Sequence, residues 1–445
     1  RRLQRMGSQL ADCDAQGHKR LWPGLGGEAG RARGFFGIGG AAACDEVVTD
    51  VDSIDRELRS WLSRNGGHIE AAVGVAAVEG AGLGLVLSEG AGAIDEGTVL
   101  LRIPWALVPT DAATMEDERV RKCLEACRGE RDIDGDRAAA LALRLWLLLH
   151  SRDPASKWWP WLRLLPQDAG AGAAALPLAF GEDDARHAFR GTSLPLDARR
   201  QRERLAAEWA ALERHPQLDL EGVDAAAWRW AQAVVSTRSS TLEVPLEAGT
   251  RTVHAILPVI DFANHGAGAA LNARVAASAA SGVALVALRR IAPGEEVRIS
   301  YGTHGADQFV FAFGFLPEDA TDDGIVAPLP PPASQAIAES RDRLFGAGQP
   351  PRLRDAPGAF RDIACALGQS AEDDETSLRL AARFLRAWEA ELSEDAQPFS
   401  LQALLPWRAP PPRPEVAAAL RARHRTVVAR AAAEAEAEVA AKKKK

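Results

Sequence analysis

The residue types best able to do chemistry are crowded between Arg238 and Phe315 of the 445-residue chain. A strand ending at Pro258 runs into Asp261-Phe262-Ala263-Asn264-His265. Further on come Pro293-Gly294-Glu295-Glu296, a strand into Ser300-Tyr301-Gly302, and then Phe313-Gly314-Phe315. Tyr301 is the single tyrosine, against 13 Phe and 12 Trp. A chain that fills its other aromatic positions without a phenol yet keeps one at a strand end beside glycine points to a use for the hydroxyl. The competing reading is a core tyrosine whose hydroxyl is satisfied, the commoner situation in a sheet. With an ordinary pKa of about 10, the phenol is neutral at pH 7, which suits positioning better than general base catalysis.

The surrounding residues narrow the chemistry. His254, His265 and His304 have spacings that match no metal motif. The glycines from Gly80 to Gly84 lack the full G-x-G-x-x-G and a following helix, so a dinucleotide loop is excluded. Glu295-Glu296 after Pro-Gly reads as a solvated turn. Trp158, Trp159 and Trp161 read as packing rather than a ligand cage. The five cysteines, at 13, 44, 123, 127 and 365, include one pair a helical turn apart. No second pair completes a zinc site, and the sparse odd set indicates a reducing compartment. No metal is implied.

The elements that must position these residues change character along the chain. Asp50 to Asn65 has helical spacing, with Ile54, Leu58, Trp61 and Leu62 on one face. Apolar runs at Ala71–Ala77 and Thr98–Ile103 flank a glycine-rich turn at Glu79–Gly84. Arg137–His150 is a nearly all-apolar helix that must be buried. Pro195–His215, stopped by Pro216, and Asp224–Val235 continue the helical stretch. Strands return at Val253–Leu257, Val283–Leu288 and Val297–Tyr301, with Pro293-Gly294 as the turn before the last. A proline-rich linker at Ala327–Ala333 precedes helices at Ser334–Phe345, Ala359–Leu367, Ser377–Leu392 and Pro414–Ala441.

The order is therefore β, α, β, then a separate α region: an α+β chain. An apolar fraction of 47% and a charged fraction of 26% are those of a globular protein. A net charge of −8 argues against a nucleic-acid partner, and Lys442 to Lys445 reads as a solvated tail. No apolar run is long enough to span a membrane. Residues 1–49 are rich in Arg and Gly and poor in acids, as in a disordered leader or an organelle transit segment.

Taken together, D-x-x-N-H, G-E-E, a strand, Y-G and x-G-F resemble the C-terminal half of SET-domain protein methyltransferases. The likeness is to the branch holding the Rubisco large-subunit N-methyltransferase and the actin-histidine methyltransferase. Glu79-Gly80-Ala81-Gly82-Leu83-Gly84 and Ile103-Pro104 resemble that family's cofactor turn and following strand, and Lys157–Pro166 its Trp-rich insert motif. The resemblance spans about residues 50–318; from 325 onward only helical content agrees. It implies a SET-type β-fold with a knot-like cofactor pocket, formed within 50–318 and split by a helical insert over 111–249. An all-α, substrate-binding C-terminal domain over 325–441 would follow.

The implied reaction is methyl transfer from S-adenosylmethionine to a side-chain nitrogen of a protein, lysine favoured over histidine. A catalytically silent SET-like binding module, or a helical adaptor, is the alternative class. By resemblance Tyr301 supplies the catalytic hydroxyl. Glu79, Gly80, Ala81, Arg238, Asp261, Asn264, His265 and Phe313 bind the cofactor, with Arg238 meeting its carboxylate. Phe313 stands where most of the branch has Tyr. Ser240 and Ile260 replace the Asn and Trp with which the actin-histidine enzyme reads its target, although Tyr301-Gly302-Thr303 follows that enzyme. The expected partner is a protein substrate, with no nucleic acid and no membrane. The chain is expected to be a monomer in the cytoplasm or a plastid.

Overall fold

Leu58, Trp61 and Leu62 recur at helical spacing, and their common face is buried in α1 (Val51–Arg64). A computed structural model describes residues 51–78, 81–128, 135–165, 176–215, 218, 220, 222–247, 249–318, 320, 324–329, 338–339, 341, 344, 351–367, 375–393 and 414–442. After α1 come β1 (His68–Ile69), β2 (Val73–Val78), β3 (Gly82–Leu87) and β4 (Val99–Ile103). Helices α2 (Asp111–Glu116), α3 (Glu118–Arg128), α4 (Gly135–His150), α5 (Trp159–Leu162), α6 (Glu182–Ala188), α7 (Leu194–Glu213) and α8 (Ala225–Arg238) follow. Strands β5 (Ser239–Leu246), β6 (Gly249–Ile256), β7 (Asn264–His265), β8 (Ala273–Ser278), β9 (Gly282–Ala287) and β10 (Glu296–Ile299) return the chain to β structure. The remainder holds α9 (Ala306–Phe313), β11 (Ile325–Val326), β12 (Arg352–Leu353), α10 (Phe360–Leu367), α11 (Glu375–Ser393) and α12 (Pro414–Lys442). The α+β expectation is met.

Internal contacts divide the described residues into two units, 51–165 with 207–302 and 176–206 with 303–442. In the first, one sheet has the order β1-β4-β9-β8 and is antiparallel throughout. The other has the order β2-β3-β10-β7 and ends in a parallel pair, Arg298 opposite Asn264 and Ile299 opposite His265. Strands from the two ends of this unit thus interleave in both sheets. Leu85, Leu101, Ile103, Val283, Leu285 and Val297 fill the interior with no meaningful exposure.

Helix α4 is buried along Ala138–Leu148, as its all-round apolar character requires. Its exception is Arg144, 1% exposed, which pairs with Glu208 at 2.8 Å and lies 4.6 Å above the Trp228 ring. Asp224 caps α8 by accepting from Ala227 N at 2.7 Å, and the helix is buried through its last residue, Arg238.

The glycine run departs from expectation. Glu79 and Gly80 lie outside the described residues, and β3 begins at Gly82, with Gly82 itself at φ +78°. Gly84 is a strand residue: a Cβ there would stand 2.5 Å from Val78 Cγ2 and 3.1 Å from Asn264 Nδ2. Close approach rather than turning explains that glycine. β5 and β8 were also absent from the sequence pattern, because Ser239-Ser240 and the alanines of 273–277 carry little apolar alternation. The helix expected at 334–345 and most of the 327–333 linker lie outside the described residues.

The second unit is helical. Phe360, Ile363, Leu378, Leu385, Trp388 and Val428 form its core, with Ala381, Ala432 and Ala435 letting the helices approach closely. Trp388 donates its indole N–H to Gly191 O at 2.6 Å. Among the described residues no helix is long and apolar enough to cross a membrane.

Gly282 begins β9 at φ +92°, and a Cβ there would lie 2.0 Å from Ile103 O. Gly282→Ala is expected to lower unfolding free energy by about 1–3 kcal/mol from the backbone alone, with the clash adding to it. Urea denaturation of the two proteins measures this.

Candidate active site

A sharp backbone feature introduces the site. Val259 has φ 68° and ψ −42°, the one positive φ outside glycine among the described residues. A β-branched residue reaches that region only under constraint, and here the constraint is full burial of Val259 and its neighbours. The turn delivers Ile260–Phe262 as a single 3-10 turn and Asn264–His265 as strand β7.

Asp261 comes out of that turn with its side chain wholly buried. Arg238, at the C-terminus of α8, donates Nη1 to Asp261 Oδ2 at 2.7 Å and, more weakly, to Asp261 O at 3.4 Å. Trp161 of α5 donates Nε1 to the other oxygen, Oδ1, at 3.1 Å. Arg238 Nε is buried with no hydrogen-bond partner. The guanidinium is thus held by one buried carboxylate through Nη1, and neither bond to Asp261 uses Nη2.

Tyr301 lies two residues past β10 and is 6% exposed. Its Oη donates to Ala263 O at 3.1 Å. Its amide donates to His265 Nδ1 at 3.2 Å, which leaves the proton of a neutral imidazole on Nε2, and the two rings lie 5.3 Å apart. Burial pushes the phenol well above its ordinary pKa; nearby Arg238 opposes the shift and Asp261 and Glu296 add to it. Tyr301 is therefore a neutral donor. It and Arg238 reach the same short stretch, 261–263, from two directions.

Asn264 donates Nδ2 to Glu296 Oε1 at 2.7 Å, and Arg298 Nε donates to Glu296 Oε2 at 2.6 Å. Asn272, fully buried, accepts from Arg298 N at 2.8 Å and donates to Glu296 O at 2.8 Å and Glu295 Oε1 at 3.0 Å. Glu295, held also by Arg289, has its carboxyl pulled down to about 2. Glu295-Glu296 is thus no bare solvated turn: Glu296 ties Asn264 of β7 to Arg298 of β10, and Glu295 holds Asn272 and Arg289.

Arg238, Asp261, Asn264, His265 and Tyr301 come together within the first unit. Ala81 opens the turn into β3, and Glu79 and Gly80 lie outside the described residues. Phe313 belongs to the second unit, at the end of α9, in a cluster with His304, Phe309 and Phe315. Gly314, at φ 71°, closes that helix by donating to Phe309 O and Val310 O, so the glycine of the x-G-F motif is a helix C-terminus. The reading of the tryptophans as packing holds for Trp158, which meets Trp146 edge-on at 4.8 Å. It misses Trp161. Asn272 was missed as well; a lone amide in an alanine-rich run was the available signal.

No family model matches the chain. Over 213 residues it is 28% identical to an actin-histidine N-methyltransferase of Rhinolophus ferrumequinum, covering 46% of this chain and 33% of that protein. The Homo sapiens actin-histidine N-methyltransferase is 27% identical over the same shares. That of Danio rerio is 30% identical over 193 residues, 42% of this chain and 31% of the relative. The chain spans about a third of the length of these relatives. Among solved structures, the SET domain of LSMT bound to lysine and AdoHcy superposes with a TM-score of 0.63 at 17% identity. That match covers 87% of this chain and 92% of the other. Rubisco LSMT bound to AdoMet gives 0.61 at 16%, with the same coverage. The fold is the SET fold. The parallel pairing of β7 with β10 sets Asn264-His265 beside Arg298-Ile299.

Because the chain has one tyrosine, its phenolate absorbance reports on Tyr301 alone. The folded pKa is raised, so the group's contribution to stability is complete below about pH 10. It is lost as pH rises through the folded value. In native protein no phenolate band is expected at 295 nm up to the alkaline unfolding transition; in urea the same titration has a midpoint near pH 10. A native midpoint near 10 would show the hydroxyl open to solvent.

Proposed function

We propose that the chain transfers a methyl group from S-adenosylmethionine to a side-chain nitrogen of a protein, with lysine as the target. The observation that supports this most directly is the convergence of a buried neutral phenol and a carboxylate-held guanidinium on residues 261–263. Arg238 uses only Nη1 toward Asp261, and Nη2 is the nitrogen proposed to meet that cofactor's carboxylate. S-adenosylmethionine, when bound, supplies an electrophilic methyl group.

The chain's own part is alignment. Arg238 binds a carboxylate in a site free of bulk water. The backbone of Asn264 and His265 borders the pocket, since the Asn264 side chain is committed to Glu296. Tyr301, too weak an acid to ionise and held by Ala263 O, orients its oxygen toward the positive charge that develops near it. It offers no base at neutral pH, so the target nitrogen must arrive deprotonated. Ala81, Glu79 and Gly80 complete the proposed cofactor contacts, and the helices of 325–441 are proposed to hold the protein substrate. The buried cysteines Cys123 and Cys365, neither of them in a disulfide, suit a reducing compartment such as the cytoplasm. A histidine target is the second reading, favoured by the names of the sequence relatives.

Incubation with labelled S-adenosylmethionine and a protein extract, followed by mapping of the modified residue, tests the reaction and separates lysine from histidine. Tyr301→Phe is expected to keep its fold, since the ring stays and one hydrogen bond worth about 1 kcal/mol is lost. Single-turnover transfer should fall roughly 10²–10³-fold, with cofactor affinity falling far less. A stable variant with normal transfer would place the catalytic centre elsewhere.

A further inference from the structure

The Asp261 carboxylate is fully buried and has two different donors on its two oxygens. A buried carboxylate facing a guanidinium ordinarily takes it side-on, two parallel N–H donors to two oxygens. That does not happen here. Trp161 Nε1, on a residue with no exposed surface, sits on Oδ1 at 3.1 Å. Arg238 is left to approach Oδ2 with Nη1 alone, at 2.7 Å, and neither of its bonds to Asp261 uses Nη2.

From this geometry we infer that Trp161 is a positioning residue for carboxylate recognition: by occupying Asp261 Oδ1, it keeps Arg238 from being consumed by its own counter-ion. The inference rests on the proposed methyl-transfer reading. The physical logic is one of competing acceptors. With the indole N–H removed, Oδ1 is a buried acceptor that lacks a donor, a costly state. The nearest remedy is rotation of the Asp261 carboxylate into a two-pronged grip on Arg238. A grip from that side engages Nη2 beside Nη1, the nitrogen that neither bond to Asp261 uses, and so takes Nη2 from a ligand. Trp161 belongs to α5, the short insert helix that starts at Trp159, so a second insert helix besides α8 bonds Asp261.

Trp161→Phe removes the N–H and keeps an aromatic disc. Trp158→Phe is the matched control: it also loses an indole hydrogen bond, to Leu107 O at 2.9 Å, but does not touch Asp261. Calorimetric affinities would be measured for S-adenosylmethionine and for its decarboxylated form, which lacks only the carboxylate, alongside thermal unfolding of each protein. The expectation is a roughly tenfold loss of S-adenosylmethionine affinity in Trp161→Phe. The decarboxylated ligand should bind almost as it does to the unaltered protein, and Trp158→Phe should bind both normally. Equal weakening of both ligands, as a general packing defect gives, would overturn the inference, as would no weakening of either. If the unaltered protein binds S-adenosylmethionine without preferring it to the decarboxylated form, Arg238 does not read a carboxylate and the inference falls while methyl transfer stands. If it binds neither, the methyl-transfer reading falls too. Should Trp161→Phe melt below the assay temperature, Trp161→Met, whose flexible side chain fills irregular gaps, is measured in its place against the same expectation.

Discussion

The ion pair between Asp261 and Arg238 is the contact around which this site is arranged. The carboxylate has no exposed surface and the guanidinium side chain only 6%. Two charges taken so far out of water are costly to solvate, and breaking such a pair from one side typically costs about 3–5 kcal/mol. The pair also fixes geometry. It ties the last turn of α8 to the turn that Val259 forces, and that turn sets where Asn264 and His265 enter the sheet. A hydrophobic pair of similar volume could match its stability, but it could not hold the turn by directed hydrogen bonds from α8 and α5.

The phenol depends on the same turn. Ala263 O, which accepts from Tyr301 Oη, lies between Asp261 and Asn264, so an error at Val259 or Asp261 would propagate to the hydroxyl. Glu296 links β7 to β10 through Asn264 and Arg298, and Asn272 holds the β10 backbone at Glu296 O and Arg298 N. Satisfied polar networks of this kind rigidify a site because each unmade bond in a low-dielectric interior is expensive.

Much of this was legible in the residues themselves. The helix 137–148 was evident from its unbroken apolar run, and the SET fold from Asn264-His265, Tyr301-Gly302 and their spacing. Tyr301 stood out because no other residue of its kind exists in the chain. Three things were not legible, each for a physical reason. Gly84 looked like a turn glycine, since a sequence cannot distinguish a backbone that bends from one that another side chain presses upon. Trp161 looked like packing because its 0% exposure is what packing produces; only the direction of its N–H separates the two. Asn272 sits in a weak strand pattern, and its partners are 23 to 26 residues away.

The interleaving of strands has a consequence for how the chain comes to be folded at all. β3 pairs with β10, joining Leu85 to Val297, and β4 pairs with β9, joining Ile103 to Val283. During synthesis the first strands leave the ribosome long before their partners exist, and the helices of 111–238 are made in the interval. Local helical contacts close cheaply and early, whereas pairings across such separations must wait. β2–β3 and β1–β4 therefore spend that interval as separate nascent strand pairs, each with an unsatisfied edge, the state most open to mispairing with another chain. A SET core built this way puts a premium on chaperone protection between the emergence of β4 and the arrival of β9.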